Sequence, residues 1–464
     1  MTVLRLRAEA GTRRRADGRV LLGGSPFKVI RLSETGARLV SGWFDGERVA
    51  DKPSHRRLAA RLVRAGIAHP AYETAALSAQ DVTAVVPVRD HAQALPPLLS
   101  ALKELAAVIV VDDGSRVPVP AATLWHDCPR GPAAARNSGW RLATTELVAF
   151  VDADVAPEPG WLRPLLVHFE DPDVAAVAPR VRSTPGPSAL ARYEQSRSSL
   201  DLGGAAAPVR PGSRVSYVPS AALVVRTSAL RDHGGFDERL RFGEDVDLVW
   251  RLNASGRQVR YEPASVVHHA PRSRWSAWAR QRFEYGTSAA PLALRHGKAV
   301  APLKVSIWSA VSWAAVAWGR PLVGAGVAVT TAGLLPRKLG RVGVPATESL
   351  RLALLGHLGA GRLFADAVTR PWAPVSIAVL ASTRRGRLLL AAAFGRHVWD
   401  WYRERPPVRL PQWVAARIVD DAAYGAGVWW GVIRHRTATP LMPDLGNWPG
   451  RDGVSTAGAG ERPA

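Results

Sequence analysis

Cysteine is almost missing from this chain. Cys128 is alone among 464 residues, which excludes an intrachain disulfide and a cysteine-built zinc site and fits a reducing compartment. The first residues, MTVLRLRAEAGTRRR, have no apolar core, so we expect no signal peptide there. Long apolar runs are also lacking. The stretches 305–319 and 322–336 are apolar but parted by Arg320-Pro321, and each falls short of the roughly 20 residues that span a bilayer. No G-x-G-x-x-G follows the first strand of the central region, which disfavours a dinucleotide site. Acids are few: 39 Asp and Glu stand against 61 Lys and Arg, a formal charge of +22. That balance suits an anionic partner, whether nucleic acid, a membrane surface or a phosphorylated substrate. The abundance of Arg and Ala over Lys is also what genomic composition bias produces.

Four segments are expected. In residues 1–80, Arg19 to Leu22 and Phe27 to Leu32 read as strands joined by Gly23-Gly24. Ser33 caps a helix from Glu34 to about Trp43. A second helix runs from Ser54 to Ala65 and stops at Gly66. Residues 81–270 alternate strands and helices, the pattern of a doubly wound α/β sheet. Residues 271–442 are basic, Trp-rich and helical. The tail 443–464 is Gly, Pro and polar residues, expected to be disordered.

The central segment carries the chemistry. Thr83 to Val88 (TAVVPV), Val108 to Val111 and Leu147 to Val151 (LVAFV) are short apolar runs suited to buried strands. Each ends in polar residues: Arg89-Asp90, Asp112-Asp113-Gly114-Ser115, and Asp152-Ala153-Asp154. Open α/β sheets bind ligands at the carboxyl ends of their strands, and independent turns would rarely align three polar clusters there. Any one cluster has a plain structural alternative; for Asp113 it is an Asx-turn with Gly114. Further on, Gly234-Gly235-Phe236-Asp237-Glu238 is a loop, and Glu244-Asp245 opens a helix whose N-terminus favours carboxylates in any case.

The ordered set VVPV, VVDDGS, ARNSGW, AFVDAD, GGFDE and GEDVDLVWRL resembles the inverting GT-A glycosyltransferases of family 2 over residues 81–270. The resemblance implies a GT-A sheet, a nucleotide-sugar donor and a divalent cation, Mg²⁺ or Mn²⁺, which prefers oxygen ligands. Donor contacts fall on Pro87, Arg89, Asp112, Asp113, Arg136, Asp152 and Arg282. Asp112 and Asp113 would accept from uracil and ribose, Arg136 would bond base or phosphate, and Arg282 sits in an Arg- and Trp-rich helix (PRSRWSAWARQRFEYG) that resembles the family's gating helix. A metal-binding histidine often follows the last strand, ASVVHH. Strand alternation allows only one of His268 and His269, and we expect His268, with Asp154, to hold the metal. Asp245 matches the general base, with Glu244 beside it, and Gly235, Phe236 and Trp275 are expected at the acceptor. Arg89-Asp90 departs from the family, in which many members carry an aromatic residue and Asn.

The N-terminal segment resembles a winged helix of the peptide-binding kind. The whole layout is similar to a branch of the family that uses UDP-glucose to build β-1,4-linked glucose on a peptide-derived redox cofactor. The alternative acceptor is a cell-envelope glycan or lipid. No nucleic acid is expected, since no recognition helix dense in Arg, Asn and Gln stands out. The Arg- and Trp-rich rear suits a membrane surface, and we expect peripheral association at the cytoplasmic face.

Overall fold

The apolar runs fold as the middle of a nine-stranded sheet. In the computed structural model, which describes residues 3–446 and 454–456, its strands are β1 (Val82–Val88), β2 (Ala107–Asp112), β3 (Leu124–Trp125), β4 (Leu147–Val151), β5 (Val155–Pro157), β6 (Val174–Ser183), β7 (Ala207–Val209), β8 (Ala222–Arg226) and β9 (Gln258–His269). The order is β5-β9-β6-β8-β4-β1-β2-β3, with β7 paired to β9. From β3 to β4 every neighbouring pair is parallel. β8 is antiparallel to both β4 and β6, so the sheet is mixed. All of β4 is buried, which is why it lacks an alternating pattern.

The chain leaves β1 toward β2 and β3, then returns to the other side of β1 as β4. That reversal is the topological switch point, and open sheets bind ligands beyond the carboxyl ends of the strands there. Those ends lead into Arg89 and Asp152. Beneath them Ala84, Val86, Leu98, Ala149, Val151 and Leu165 belong to one apolar core.

Two units divide the chain: Met1–Arg7 with Arg48–Trp275, and Ala8–Glu47 with Ser276–Ala464. Residues 1–80, expected as one module, are thereby split. In the first unit, helix Pro53–Arg64 starts with Pro at its first turn and buries Ala59, Leu62 and Val63. In the second, Ser33 Oγ accepts from the Gly36 N–H and caps helix Glu34–Phe44. The strands Val20–Gly23 and Lys28–Arg31 bury Val20, Leu22 and Val29 with Leu339 and Val344. The apolar face of that hairpin is thus matched to helices far along the chain, and burial there decides where it goes.

The rest of the second unit is helical. The long helices are Ile307–Ala317, Pro321–Gly340, Ala346–Thr369, Arg384–Glu404 and Leu410–His435. Helix Trp275–Thr287 lies close to Leu410–His435, because a Cβ on Gly286 would come 2.2 Å from the Tyr424 carbonyl oxygen and one on Gly427 2.0 Å from that of Phe283. Two short pieces of the tail 443–464 are strands. Asp444–Gly446 pairs with Lys304–Ser306, and Val454–Thr456 pairs with Lys28–Arg31; the other residues beyond 446 lie outside the described ones. Among the described residues no helix is long and apolar enough to cross a membrane.

Candidate active site

Helix α1 (Pro132–Trp140) and helix α2 (Glu244–Ala254) bring the charged residues together. Arg136 of α1 is 4% exposed. Its Nη1 donates to Glu244 Oε1 at 2.8 Å and its Nη2 to Asp152 Oδ1 at 2.7 Å. Its guanidinium lies 5.5 Å from the Phe236 ring centroid. Burial works against the Arg136 charge, but Asp152 and Glu244 outweigh it and hold its pKa above the ordinary arginine value. Arg136 therefore ties the first carboxylate after β4 to the start of α2. It was expected on the base or phosphate, and the structure instead commits two of its nitrogens to the protein.

Asp245 is the neighbour of Glu244 and keeps part of its surface exposed. Its Oδ1 accepts from the Val246 N–H at 2.8 Å, and its Oδ2 from the Ser220 N–H at 3.3 Å. The next residue, Ala221, accepts from the Asp152 N–H at 2.9 Å, so a single two-residue segment links both acids. Burial, opposed by these hydrogen bonds and by Arg136, still leaves the Asp245 pKa raised. Burial and the Asp245 charge push Glu244 up to about 7. Both carboxylates are thus more basic than in water, the direction that suits proton abstraction.

His269, rather than the expected His268, lies beside Asp154. His269 Nε2 lies 3.3 Å from Asp154 Oδ2, whereas His268 Nε2 lies 2.8 Å from Glu158 Oε1. Asp154 sits in the turn before β5, where two-residue alternation does not hold. The pairing of Val155 with His269 then sets His269 beside it. Burial raises the Asp154 pKa, but the hydrogen bond and charge of His269, with Arg272, bring it below the ordinary value. Burial lowers that of His269, and Asp154 more than reverses it. Among the described residues no group of three or more His, Cys, Asp or Glu side chains is arranged to hold a metal. Two adjacent ligands of an octahedral cation with bonds of about 2.1 Å are about 3 Å apart. Asp154 and His269 fit that edge, provided that oxygens from outside the protein complete the shell.

Asp112 and Asp113, expected at uracil and ribose, both accept hydrogen bonds from the backbone. Asp112 is buried, and its oxygens accept from the Ser115 N–H at 2.9 Å and the Val119 N–H at 3.0 Å, closing the loop after β2. Asp113 accepts from the Arg130 N–H at 2.9 Å and the Gly131 N–H at 2.8 Å, and lies 2.8 Å from His126 Nδ1. It fixes the segment that leads into α1. Asp90 has φ +56°, a conformation Asp tolerates better than most residues. It receives the Arg116 N–H at 2.8 Å and donates its own N–H to Ser115 Oγ at 2.9 Å. Asp90 thereby braces the same loop, while Arg89 is exposed and Pro87 partly so.

Three further expectations are revised. Phe236 is buried, packed edge-on against Phe150 at 5.0 Å, and Gly235 is buried too. A Cβ on Gly235, which has φ +68°, would come 2.5 Å from Asn137 Oδ1. Both residues therefore hold the loop rather than face an acceptor. Arg282 is buried in the second unit, 3.4 Å from Asp420 and stacked on Trp278 at 5.3 Å. Its charge is spent on that unit's own core. Trp275 is exposed.

The residues that position the loop were not legible as such. Asn137 Nδ2 donates to the Phe236 carbonyl at 2.8 Å and to Glu238 at 3.0 Å, and its Oδ1 accepts the Phe236 N–H at 3.0 Å. These bonds cross about a hundred residues of sequence. Arg251 was findable, since it pairs with buried Asp247 at i,i+4 and 2.7 Å. Its Nη atoms each donate at 2.6 Å, to the carbonyls of His233 and Gly235.

The model of the family described as "Glycosyl transferase family 2" matches residues 83–233. The chain is 42% identical over 452 residues to the pre-mycofactocin glycosyltransferase of Mycobacterium tuberculosis, covering 92% of this chain and 95% of that protein. The chain belongs to glycosyltransferase family 2. Other relatives match a smaller share of the chain. The succinoglycan biosynthesis protein ExoU of Rhizobium meliloti is 29% identical over 210 residues, 40% of this chain and 60% of that one. Among solved structures, the mannosyltransferase PcManGT from Pyrobaculum calidifontis in complex with GDP-Man and Mn2+ aligns with TM-score 0.41 and 18% identity, over 77% of this chain and 91% of that one. The enzyme is a glycosyltransferase with a GT-A sheet, and the acids gathered by Arg136 stand at the carboxyl edge of that sheet.

Proposed function

We propose that this family 2 glycosyltransferase moves glucose from UDP-glucose to a hydroxyl of a peptide-derived redox cofactor precursor, the glycosylation step of mycofactocin biosynthesis, and extends it as a β-1,4-linked chain. The observation that carries this reading is the 42% identity to the pre-mycofactocin glycosyltransferase, sustained over 92% of the chain. A likeness that includes the N-terminal and helical segments supports a shared acceptor as well as a shared donor site.

The reaction is a single displacement with inversion. The acceptor hydroxyl oxygen forms a bond to the anomeric carbon as the bond from that carbon to the UDP oxygen breaks. The hydroxyl proton passes to the carboxylate of Asp245, and UDP departs with the bonding pair. Arg136 and Ser220 hold Asp245 and Asp152 in fixed relation, so that base and donor are oriented before reaction. Arg89, Pro87 and the exposed part of Asp152 are the candidate donor contacts. Asp154 and His269 would hold Mg²⁺ or Mn²⁺, which when bound offsets the charge that grows on the diphosphate. The reading puts the enzyme at the cytoplasmic face of a membrane, supported by the exposed apolar residues and the positive charge of the second unit.

The test is incubation with a panel of nucleotide sugars and Mg²⁺ or Mn²⁺. Slow release of UDP is expected with UDP-glucose above all, and it should accelerate when the peptide-derived acceptor is added. Release from a different donor would overturn the sugar assignment. Acceleration by a cell-envelope lipid and not by the peptide-derived acceptor would favour the second reading, which the apolar helices also accommodate.

A further inference from the structure

We propose that two adjoining helix turns of the second unit form a wedge that inserts into one leaflet of an anionic lipid bilayer. The proposal rests on the membrane reading above and names the surface responsible. The first turn, Trp318-Gly319-Arg320, joins helices Ile307–Ala317 and Pro321–Gly340. The second, Ala381-Ser382-Thr383, joins Ala373–Leu380 and Arg384–Glu404. Arg385 Nη1 donates to the Trp318 carbonyl at 3.5 Å, and a Cβ on Gly319 would come 2.7 Å from that nitrogen. The turns are therefore side by side.

Their side chains are among the most exposed large apolar groups of the protein: Trp318 is 79% exposed, Leu322 87% and Leu388 65%, with Val323 and Val379 beside them. Apolar residues scattered singly on a surface need no explanation, but a contiguous group at adjoining turns does. Arg320, Arg384, Arg385 and Arg387 are exposed around it. The stretches 285–347 and 367–399, which contain both turns, hold 12 Lys and Arg and no Asp or Glu. A partner that offers hydrocarbon beneath a layer of fixed negative charge satisfies both features. Arg stems can lie along the apolar surface with their heads at the phosphates. Length sets the depth. Helix Ile307–Ala317 has 11 residues, and at about 1.5 Å per residue it reaches roughly half of the ~30 Å hydrocarbon core. The surface thus enters one leaflet without spanning.

The test uses the full chain in flotation with vesicles of two parts phosphatidylcholine to one part phosphatidylglycerol, and with pure phosphatidylcholine. Wild type is expected to float with the anionic vesicles and to be released as salt rises. Trp318→Ser, Leu322→Ser and Leu388→Ser combined should weaken partitioning on the order of 100-fold. They should leave UDP release from UDP-glucose unchanged, which confirms folding. Arg320→Gln with Arg384→Gln should reduce the preference for anionic vesicles on the order of tenfold. If wild type floats and the triple variant floats equally, the membrane reading stands and this wedge is overturned. If wild type does not float with either vesicle, both fall. If the triple variant instead converts an oligomer to a monomer while vesicle binding is absent, the wedge is overturned and the surface joins copies of the chain.

Discussion

Replacing Arg136 by Met separates the two roles open to that side chain. If it is the buried tie between Asp152 and Glu244, its loss leaves Glu244 buried with no guanidinium. Removing one partner of a buried pair costs about 3–5 kcal/mol. The lower end applies here, because Glu244 is already pushed up to about 7 and can take a proton when its partner goes. For a cooperative unit of this size each kcal/mol shifts Tm by about 2–4 °C, so the expected fall is roughly 6–12 °C. Thermal unfolding followed by tryptophan fluorescence measures it. Arg136→Met with Glu244→Gln removes the orphaned charge as well, and should recover about 1–2 kcal/mol relative to Arg136→Met alone. Donor turnover should fall in the single variant through kcat, because Asp245 loses its framework. An unchanged Tm together with a raised KM for UDP-glucose would refute the reasoning. Arg136 would then be a donor ligand, as its place in ARNSGW first suggests.

Asp245→Asn keeps the side-chain shape and one acceptor oxygen, enough for the shorter bond from the Val246 N–H but not also for the 3.3 Å bond from the Ser220 N–H, so Tm should fall only slightly while kcat drops by about 10²–10⁴-fold; near-normal transfer would remove Asp245 as the base. Asp154→Ala and His269→Ala should each abolish Mn²⁺-dependent UDP binding in calorimetry, whereas His268→Ala should not; the reverse ranking would restore His268. Glu244 contributes to the pH dependence of stability. Its pKa rises on folding from 4.5 to about 7, so the unfolded chain gives up this proton first. Stability from this group is full below about 4.5, falls as pH rises to about 7 and is level above. Glu244→Gln should flatten the fall in Tm across that window, and an unaltered slope would assign it to other groups.

The order of elements and the family were legible in the sequence, because both are written in local pattern. Leu147–Val151 is apolar at every position since it is buried on both faces, and the strand is found where the pattern sets it. Ser33 and Gly66 mark helix ends through short-range bonding and backbone preference, and one helix begins and another stops beside them. Asp154 and Asp245 were nameable for the same reason: each follows a strand end or opens a helix.

Which partner each charge takes was decided only by the tertiary structure. Arg136 and Glu244 are 108 residues apart in the chain, and no periodicity relates them. His268 and His269 are equivalent to a rule of alternation; the antiparallel pairing of Val155 with His269 breaks the tie in favour of the second. Phe236 looked available in a polar loop, but Asn137, Arg136 and Phe150 enclose it. The N-terminal hairpin shows the same principle at larger scale. Its strands follow from local sequence, yet it shares a core with Leu339 and Val344 because that is where its apolar face is removed from water. Local sequence specifies what each segment is, through steric preference and short-range hydrogen bonds. The pairing of distant segments depends on burial and charge matching between residues far apart in the chain, and that pairing determines which acids are free for chemistry.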